Sequence, residues 1–447
     1  MKETDIITEC GRVVGNTEFI SLPEVQNRFV YLDYAATTPV RPEVLTAMMP
    51  YFSENFGNPS ALYAAGRAAK RALQDARETI ARGLSVKSNE IIFTGGGTES
   101  NNLALFGVTR GYATQGNTIV TSSFEHHAVL YVGEKMKKDG LHHVVVPVDH
   151  NGLLDLEKFE TALTPETLVV SIMYANNEIG VVQNISEIAR IIRNKKKEWG
   201  RGPLQTPFLH TDACQATQYL NLNVQELGVD LMTINSSKIY GPKGVGALYV
   251  KNGIKLSPLV IGGGQEQKLR SGTENIPGIV GFAKAFELAL AEQETESVRL
   301  MELRDYFIAR VLKEIPKVVL NGDATHRLPN NVNVSILDIE GEAILLYLDA
   351  YGICASTGSA CDSASLDPSH VILALGRPYE FAHGSMRFTL GKSTTKEDID
   401  YTMEVLKPVC AVLRQMSPID VDINSYDQKH IAIPEAFLGN AKPHFIK

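Results

Sequence analysis

The sequence predicts an α/β protein: a large, mainly parallel sheet of seven strands covered by helices, followed by a smaller α+β unit. Short apolar, β-branched runs alternate with helical patterns from residue 89 onward, the signature of parallel strands joined by crossover helices. A long helical pattern at 277–314 leads out of that rhythm, and beyond it strands and helices follow in a looser order. The 447 residues exceed what one small core serves and suit two or three units.

Residues 1–30 are polar and irregular and read as an N-terminal extension. Ordered chain is expected to begin at Tyr31-Leu32-Asp33-Tyr34. Apolar residues then fall at helical spacing from Pro42 to Phe52, and Asn55–Ser60 is rich in turn formers. Residues 62–84 predict a long amphipathic helix. The predicted strands of the large unit are Glu90–Thr94, Asn117–Thr121, Val144–Val148, Leu168–Met173, Phe208–Asp212, Val229–Ile234 and Val245–Val250. Helical patterns such as Val129–Lys138 and Ile185–Lys197 fill the gaps. In the smaller unit, Val332–Ile336 and Ser385–Leu390 read as strands, Glu340–Tyr351 and Thr395–Met416 as helices. The expected division is therefore an extension at 1–30, a large unit at 31–290, a small one at 291–416 and a polar tail at 417–447.

Composition excludes several classes. Hydrophobic residues make up 44% and charged residues 21%, ordinary for a soluble globular protein. The net charge of -8 and the lack of a long basic run argue against nucleic-acid binding as the main activity. No apolar stretch is long enough for a membrane span. Met1-Lys2-Glu3-Thr4-Asp5 lacks the basic region and apolar core of a signal peptide. Five scattered cysteines, Cys10, Cys214, Cys354, Cys361 and Cys410, point to a reducing compartment. A cytoplasmic enzyme is the expectation.

The chemistry gathers at strand ends, where ligands of parallel sheets bind. Lys238 stands in Asn235-Ser236-Ser237-Lys238-Ile239-Tyr240-Gly241-Pro242-Lys243-Gly244, between two strand-like runs. A lysine on such a turn suits Schiff-base chemistry, for which pyridoxal phosphate is the common cofactor. A solvated loop lysine is the plain alternative. Gly95–Gly97, in Thr94–Asn101, follow a strand and open a helix, where free N–H groups suit a phosphate; a tight turn would look the same. Asp212 closes a strand and can pair with a protonated pyridine nitrogen, or cap a helix. Gln215, three residues on, can reach a phenolic oxygen of the same ligand. His126 can stack on a flat ring and move protons, and no ligand spacing around His126-His127 supports zinc. Asn176–Gly180 offers amide donors or an Asx turn. Cys361 lies in a small, polar stretch, Ala355–Ser365, suited to a reactive thiol although most cysteines are inert. Arg387, on an apolar strand, needs an anion: a substrate carboxylate or a structural acid.

Taken in order, Tyr31–Pro39 (YLDYAATTP), Phe93–Asn101, Phe124–Val129, Asn176–Gln183 (NNEIGVVQ), His210–Gln215, Lys238–Gly246, Arg270–Thr273, Gly358–Ser365 and Arg387 closely resemble the pyridoxal-phosphate-dependent cysteine desulfurases of the class V aminotransferase group. The resemblance spans about residues 31–415. The stretch around Cys361 is similar to the long-loop type that serves iron–sulfur cluster assembly and tRNA thiolation. The resemblance implies the fold type I of pyridoxal-phosphate enzymes, like aspartate aminotransferase, and a homodimer with active sites at the interface. It implies Lys238 as the Schiff-base lysine and Asp212, Gln215 and His126 as cofactor partners. Gly97, Thr98, Asn235 and Ser237 would contact phosphate, as would Thr273 from the other subunit. Asn177 and Arg387 would grip the substrate carboxylate, and Cys361 would carry the persulfide. No metal site is implied beyond contact of Cys361 with a transient iron–sulfur cluster. The implied substrate is L-cysteine, giving alanine, with sulfur passed to an iron–sulfur scaffold or a tRNA thiolation protein.

The sequence departs from the family pattern at Ser237, where histidine is usual, at Asn235, where serine or threonine is usual, and at Tyr63. It also carries the N-terminal extension and extra residues around Trp199–Thr206. Two other readings stand beside the desulfurase: a selenocysteine lyase or another class V enzyme, which for an aminotransferase would not need Cys361, and a non-catalytic scaffold for sulfur transfer.

Overall fold

The computed structural model describes residues 20–357 and 368–423, with Tyr426 and Phe437. In chain order its strands are β1 (Val30–Tyr31), β2 (Ile91–Thr94), β3 (Thr118–Ser122), β4 (His142–Val146), β5 (Thr167–Ser171), β6 (Phe208–Asp212), β7 (Leu231–Asn235), β8 (Gly246–Val250), β9 (Val318–Leu320), β10 (Asn331–Ile336), β11 (Ile353–Cys354) and β12 (Ser385–Thr389).

Seven of these form the large sheet, in the order β2-β8-β7-β6-β5-β3-β4. β8 runs antiparallel to both its neighbours, and the other pairings are parallel. The strands from β5 to β8 are buried throughout or nearly so, which suits a sheet covered on both faces. On one face pack the helices Ala64–Gly83, Ile185–Glu198 and the first half of Ile276–Glu314; on the other pack Gly97–Gly111 and His127–Lys138. The helix Ala64–Gly83 docks through Ala69, Leu73, Ala76 and Ile80, a stripe at helical spacing.

The helix Ile276–Glu314 joins the two cores. Its residues up to Ala289 pack in the large one, and from Leu300 onward they pack in the smaller one. There β12, β10 and β9 form an antiparallel sheet covered by the helices Gly341–Ala350 and Lys396–Met416. The last of these opens on a capping box between Thr395 and Asp398.

Three local differences from the sequence reading have physical causes. β4 begins at His142 rather than Val144, because as an edge strand it is partly exposed and needs no continuous apolar run. β9 is three residues long, too short to show a period. Val30 and Leu32 belong to the smaller core, since β1 pairs in parallel with β11; Leu22 packs against the same core. Ordered chain therefore starts before Tyr31.

Candidate active site

β6 and β7 lie side by side and both end at the same edge of the sheet, so they deliver Asp212 and Lys238 to one place. Lys238 sits in the single turn Ser236–Lys238 that follows β7. Its Nζ donates to the carbonyls of Ala35 and Ala36, each at 2.7 Å. Gln215 Nε2 donates to the same Ala35 carbonyl at 3.0 Å. Thr38 ties this segment to the lysine turn: its backbone N–H and hydroxyl donate to the Ser237 carbonyl, and its hydroxyl accepts from Tyr240 N–H. The motif Tyr31–Pro39 thus acts as a strap across the site.

Asp212 is buried and accepts two hydrogen bonds, from Asn101 Nδ2 at 2.6 Å and from Cys214 N–H at 2.9 Å. Asn101 comes from the helix Gly97–Gly111. That helix starts at the phosphate candidates. Its cap, Gly96, has φ +145°, a conformation L side chains rarely adopt, and makes no side-chain cap bond. A Cβ on Gly97 would lie 2.8 Å from Cys214 Sγ, so only glycine lets the helix start approach β6 this closely. The hollow in front, about 620 Å³, is lined by Gly95–Glu99, Asn102, Asn235, Ser237 and Gly244. Its one carboxylate, Glu99, is occupied by Gly95 N–H and Arg270 Nε. The cradle therefore offers uncapped helix N–H groups and hydroxyls to an anion.

His126 caps the helix His127–Lys138, and its Nδ1 accepts from Ala128 N–H at 3.0 Å. In the neutral ring this leaves the proton on Nε2. Burial lowers the pKa of His126; Asp212 pulls it up and Lys238 pushes it down, which places the three groups within one field. Beside it, Glu125 is fully buried and its carboxyl is pushed up to about 8 by burial. One oxygen accepts from Ser122 Oγ and Met173 N–H; the other has no partner among the described residues.

Arg387 is buried and bonded to Asp33, Nη2 to Oδ1 at 2.8 Å, and to the Asn177 carbonyl at 3.0 Å. Asp33 is the structural acid that the sequence left open. Arg387 Nε remains buried with no partner among the described residues.

The structure thus brings together Lys238, Asp212, His126, Gln215, Gly97, Thr98, Asn235 and Ser237, with Asn177 and Arg387 alongside through the Asp33–Ala36 strap. Thr273 is exposed, and no hydrogen bond joins it to this group among the described residues. Cys361 lies outside the described residues. Asn101, Glu125 and Asp33 were missed as site residues. All three stand inside motifs quoted for the resemblance, and each acts by holding another side chain or by being buried, which a single sequence does not display.

The residues fit pyridoxal phosphate. An uncapped helix start and glycine cradle suit a phosphate, a buried acceptor-only carboxylate suits a pyridinium, and a lysine amine acts on His126 together with that carboxylate. Asn101 Oδ1, Glu125 Oε2 and Arg387 Nε, on residues bonded to or flanking this group, are buried with no partner among the described residues. Among the described residues no cluster suits a metal ion, and no helix is long and apolar enough to cross a membrane.

Comparison with known proteins agrees with this arrangement. The family described as "Aminotransferase class-V" matches residues 30–402. A "Cysteine desulfurase IscS" of Dictyoglomus turgidum is 51% identical over 391 residues, 88% of this chain and 97% of that one. One of Methanosarcina thermophila is 48% identical, over 88% of this chain and 95% of its own. Among solved structures, a "NIFS-LIKE PROTEIN" superposes with a TM-score of 0.79 at 34% identity, covering 86% of this chain and all of that one. A structure titled "SspA in complex with cysteine" gives 0.69 at 34% identity, over 81% and 98%.

Proposed function

The chain belongs to the class V aminotransferase family, and we propose that it works there as a cysteine desulfurase, taking sulfur from L-cysteine and releasing alanine. The observation that carries this reading is the convergence of Lys238, Asp212 and the Gly95–Thr98 cradle at one sheet edge in a chain so close to named desulfurases.

Pyridoxal phosphate is the cofactor of this family and supplies an electron sink for the bond broken at the substrate's α-carbon. Lys238 would hold it covalently through its amine, Gly97, Thr98, Asn235 and Ser237 would hold its phosphate, and Asp212 and Gln215 its ring. The chain's own work is then proton handling, orientation and sulfur capture. Carbonyls of Ala35 and Ala36 aim the Lys238 amine without neutralising it, so it can take and return a proton once freed. His126, kept neutral by burial with its proton on Nε2, would donate or relay one. Arg387 offers its unused Nε to the substrate carboxylate, with Asn177 beside it. Cys361, as thiolate, would attack the substrate sulfur; the carbon–sulfur bond breaks with its electron pair leaving on carbon, which is protonated on the way to alanine, and Cys361 keeps the sulfur as a persulfide.

The persulfide would then pass to an acceptor for iron–sulfur assembly or tRNA thiolation, and Thr273 would reach the site of a second subunit in a homodimer. The test is an assay of sulfide and alanine together, with L-cysteine, pyridoxal phosphate and a thiol reductant. Equal amounts of the two are expected. Cys361→Ala should lose sulfide release while keeping bound cofactor; sulfide at the parent rate would remove Cys361 from the reading.

A further inference from the structure

A second cavity lies at the opposite edge of the large sheet. It opens between the helix Ile185–Glu198, the loop that follows it, and the ends of β6, β7 and β8 away from Lys238. Five-residue strands separate the two edges by about 17 Å. The cavity measures about 320 Å³, within the lower range of small-molecule sites. Its floor is apolar, with Ile192 and Tyr249 among the lining residues. Its charged lining is one-sided: Arg193, Lys196, Lys197, Arg201 and Lys251 against the single carboxylate of Asp230. That carboxylate is already used, by Lys251 Nζ at 2.9 Å and by Leu209 N–H at 3.1 Å.

Lys196 is the informative residue. It is only 6% exposed, yet no carboxylate pairs with it among the described residues. Its Nζ donates to the carbonyls of Pro203 and Pro207 at 2.9 and 3.4 Å and lies over the Phe208 ring. Carbonyls orient an ammonium but leave its charge standing, and burying a charge without a counter-charge is costly. Pinning the loop would account for Lys196 alone. It does not account for Arg193 and Lys197, which are exposed at the mouth of the same hollow; Lys251 is paired with Asp230, and Arg201 donates to the carbonyls of Thr206 and Pro165.

We infer that this cavity binds a small phosphorylated molecule with a flat apolar body, at a site separate from the catalytic one. The cation excess favours a dianion over a single carboxylate, Arg193 offers the forked geometry that phosphate takes, and the apolar floor calls for more than inorganic phosphate. A bound phosphate would supply the missing counter-charge. Burial holds Lys196 down to about 8, with Lys251 and Arg201 pushing down and Asp230 pulling up; Arg193 and Lys197 face the same space. An anion arriving there raises that value, so binding takes up protons.

The test is calorimetric titration of the cofactor-loaded protein with adenosine 5′-monophosphate, in two buffers of different ionisation enthalpy near pH 8. One molecule per chain is expected, with net proton uptake, while uncharged adenosine fails to bind. Lys196→Met risks the loop. The double variant Arg193→Gln, Lys197→Gln alters exposed residues only, and it should fold normally and bind about tenfold more weakly or worse, as two charge-assisted contacts are lost. Failure of the monophosphate to bind at millimolar concentration, unchanged binding to the double variant, or binding that displaces the cofactor would each overturn the inference.

Discussion

Lys238 and Lys196 stand at opposite edges of one sheet, and each ammonium donates to two backbone carbonyls: Ala35 and Ala36 for the first, Pro203 and Pro207 for the second. The carbonyls fix direction in both cases and neutralise neither. What differs is the company. Lys238 is half-buried, shares a field with Asp212 and His126, and follows Asn235 and Ser237, which line a cradle of helix N–H groups. Lys196 is buried and shares its hollow with other cations, and among the described residues lining it Asp230 is the one carboxylate. Similar hydrogen bonding is therefore proposed to support different chemistry: a reacting amine at Lys238, beside a carboxylate and a cradle, and part of an anion site at Lys196, beside other cations.

Substitutions break this comparison in graded steps. Lys238→Ala should lower alanine and sulfide release by about 1000-fold or more, since it removes a group that moves protons at the reacting carbon. Lys196→Gln should change the same rate by less than about threefold, as its cavity lies across the sheet. Equal losses would erase the distinction. Asp212→Asn should cost on the order of 100-fold, the scale of losing one aimed electrostatic partner, with cofactor still bound through Lys238 and the cradle. Asn101→Ala leaves Asp212 Oδ2 without its 2.6 Å donor. Activity should fall about tenfold and stability by about 1–3 kcal/mol, read as kcat and by denaturant unfolding.

The smallest effect is a pH dependence. Burial pushes Glu125 from 4.5 up to about 8. The native state therefore holds a proton that the unfolded chain releases, and the stability this gives is full in acid and is lost as pH rises through about 8. Glu125→Gln keeps a neutral side chain at all these values. Its melting temperature should fall less than the parent's between about pH 5 and pH 9, by on the order of a few degrees. Parallel curves would mean that Glu125 stays ionised.

Much of this was legible in the sequence because it is local. Short apolar runs located the strands around Asp212 and Lys238, and the chain order of YLDYAATTP, TGGGTESN and NSSKIYGPKG carried the resemblance to a family. The strap's purpose was not legible. That Ala35 and Ala36 hold Lys238 from some 200 residues away is a matter of backbone carbonyls, which leave no trace in side-chain identity. Asp33 as the partner of Arg387 joins residues 354 positions apart. Glu125 was not singled out in the sequence; burial on all sides, which pushes its carboxyl up to about 8, is a property of the fold. The extra residues near Trp199 had no account from sequence alone; in the fold they wall a cavity whose cations come from two separate stretches, 193–201 and Lys251.

The central claim is that Lys238, of these two carbonyl-held lysines, is the one that takes the cofactor. Borohydride reduction of the pyridoxal-phosphate-loaded protein fixes the lysine–cofactor link, and peptide mapping by mass spectrometry then locates it. The cofactor mass is expected on the peptide containing Lys238 and none on the peptide containing Lys196. Label on Lys196, or an unlabelled Lys238 in protein that releases alanine from L-cysteine, would contradict it.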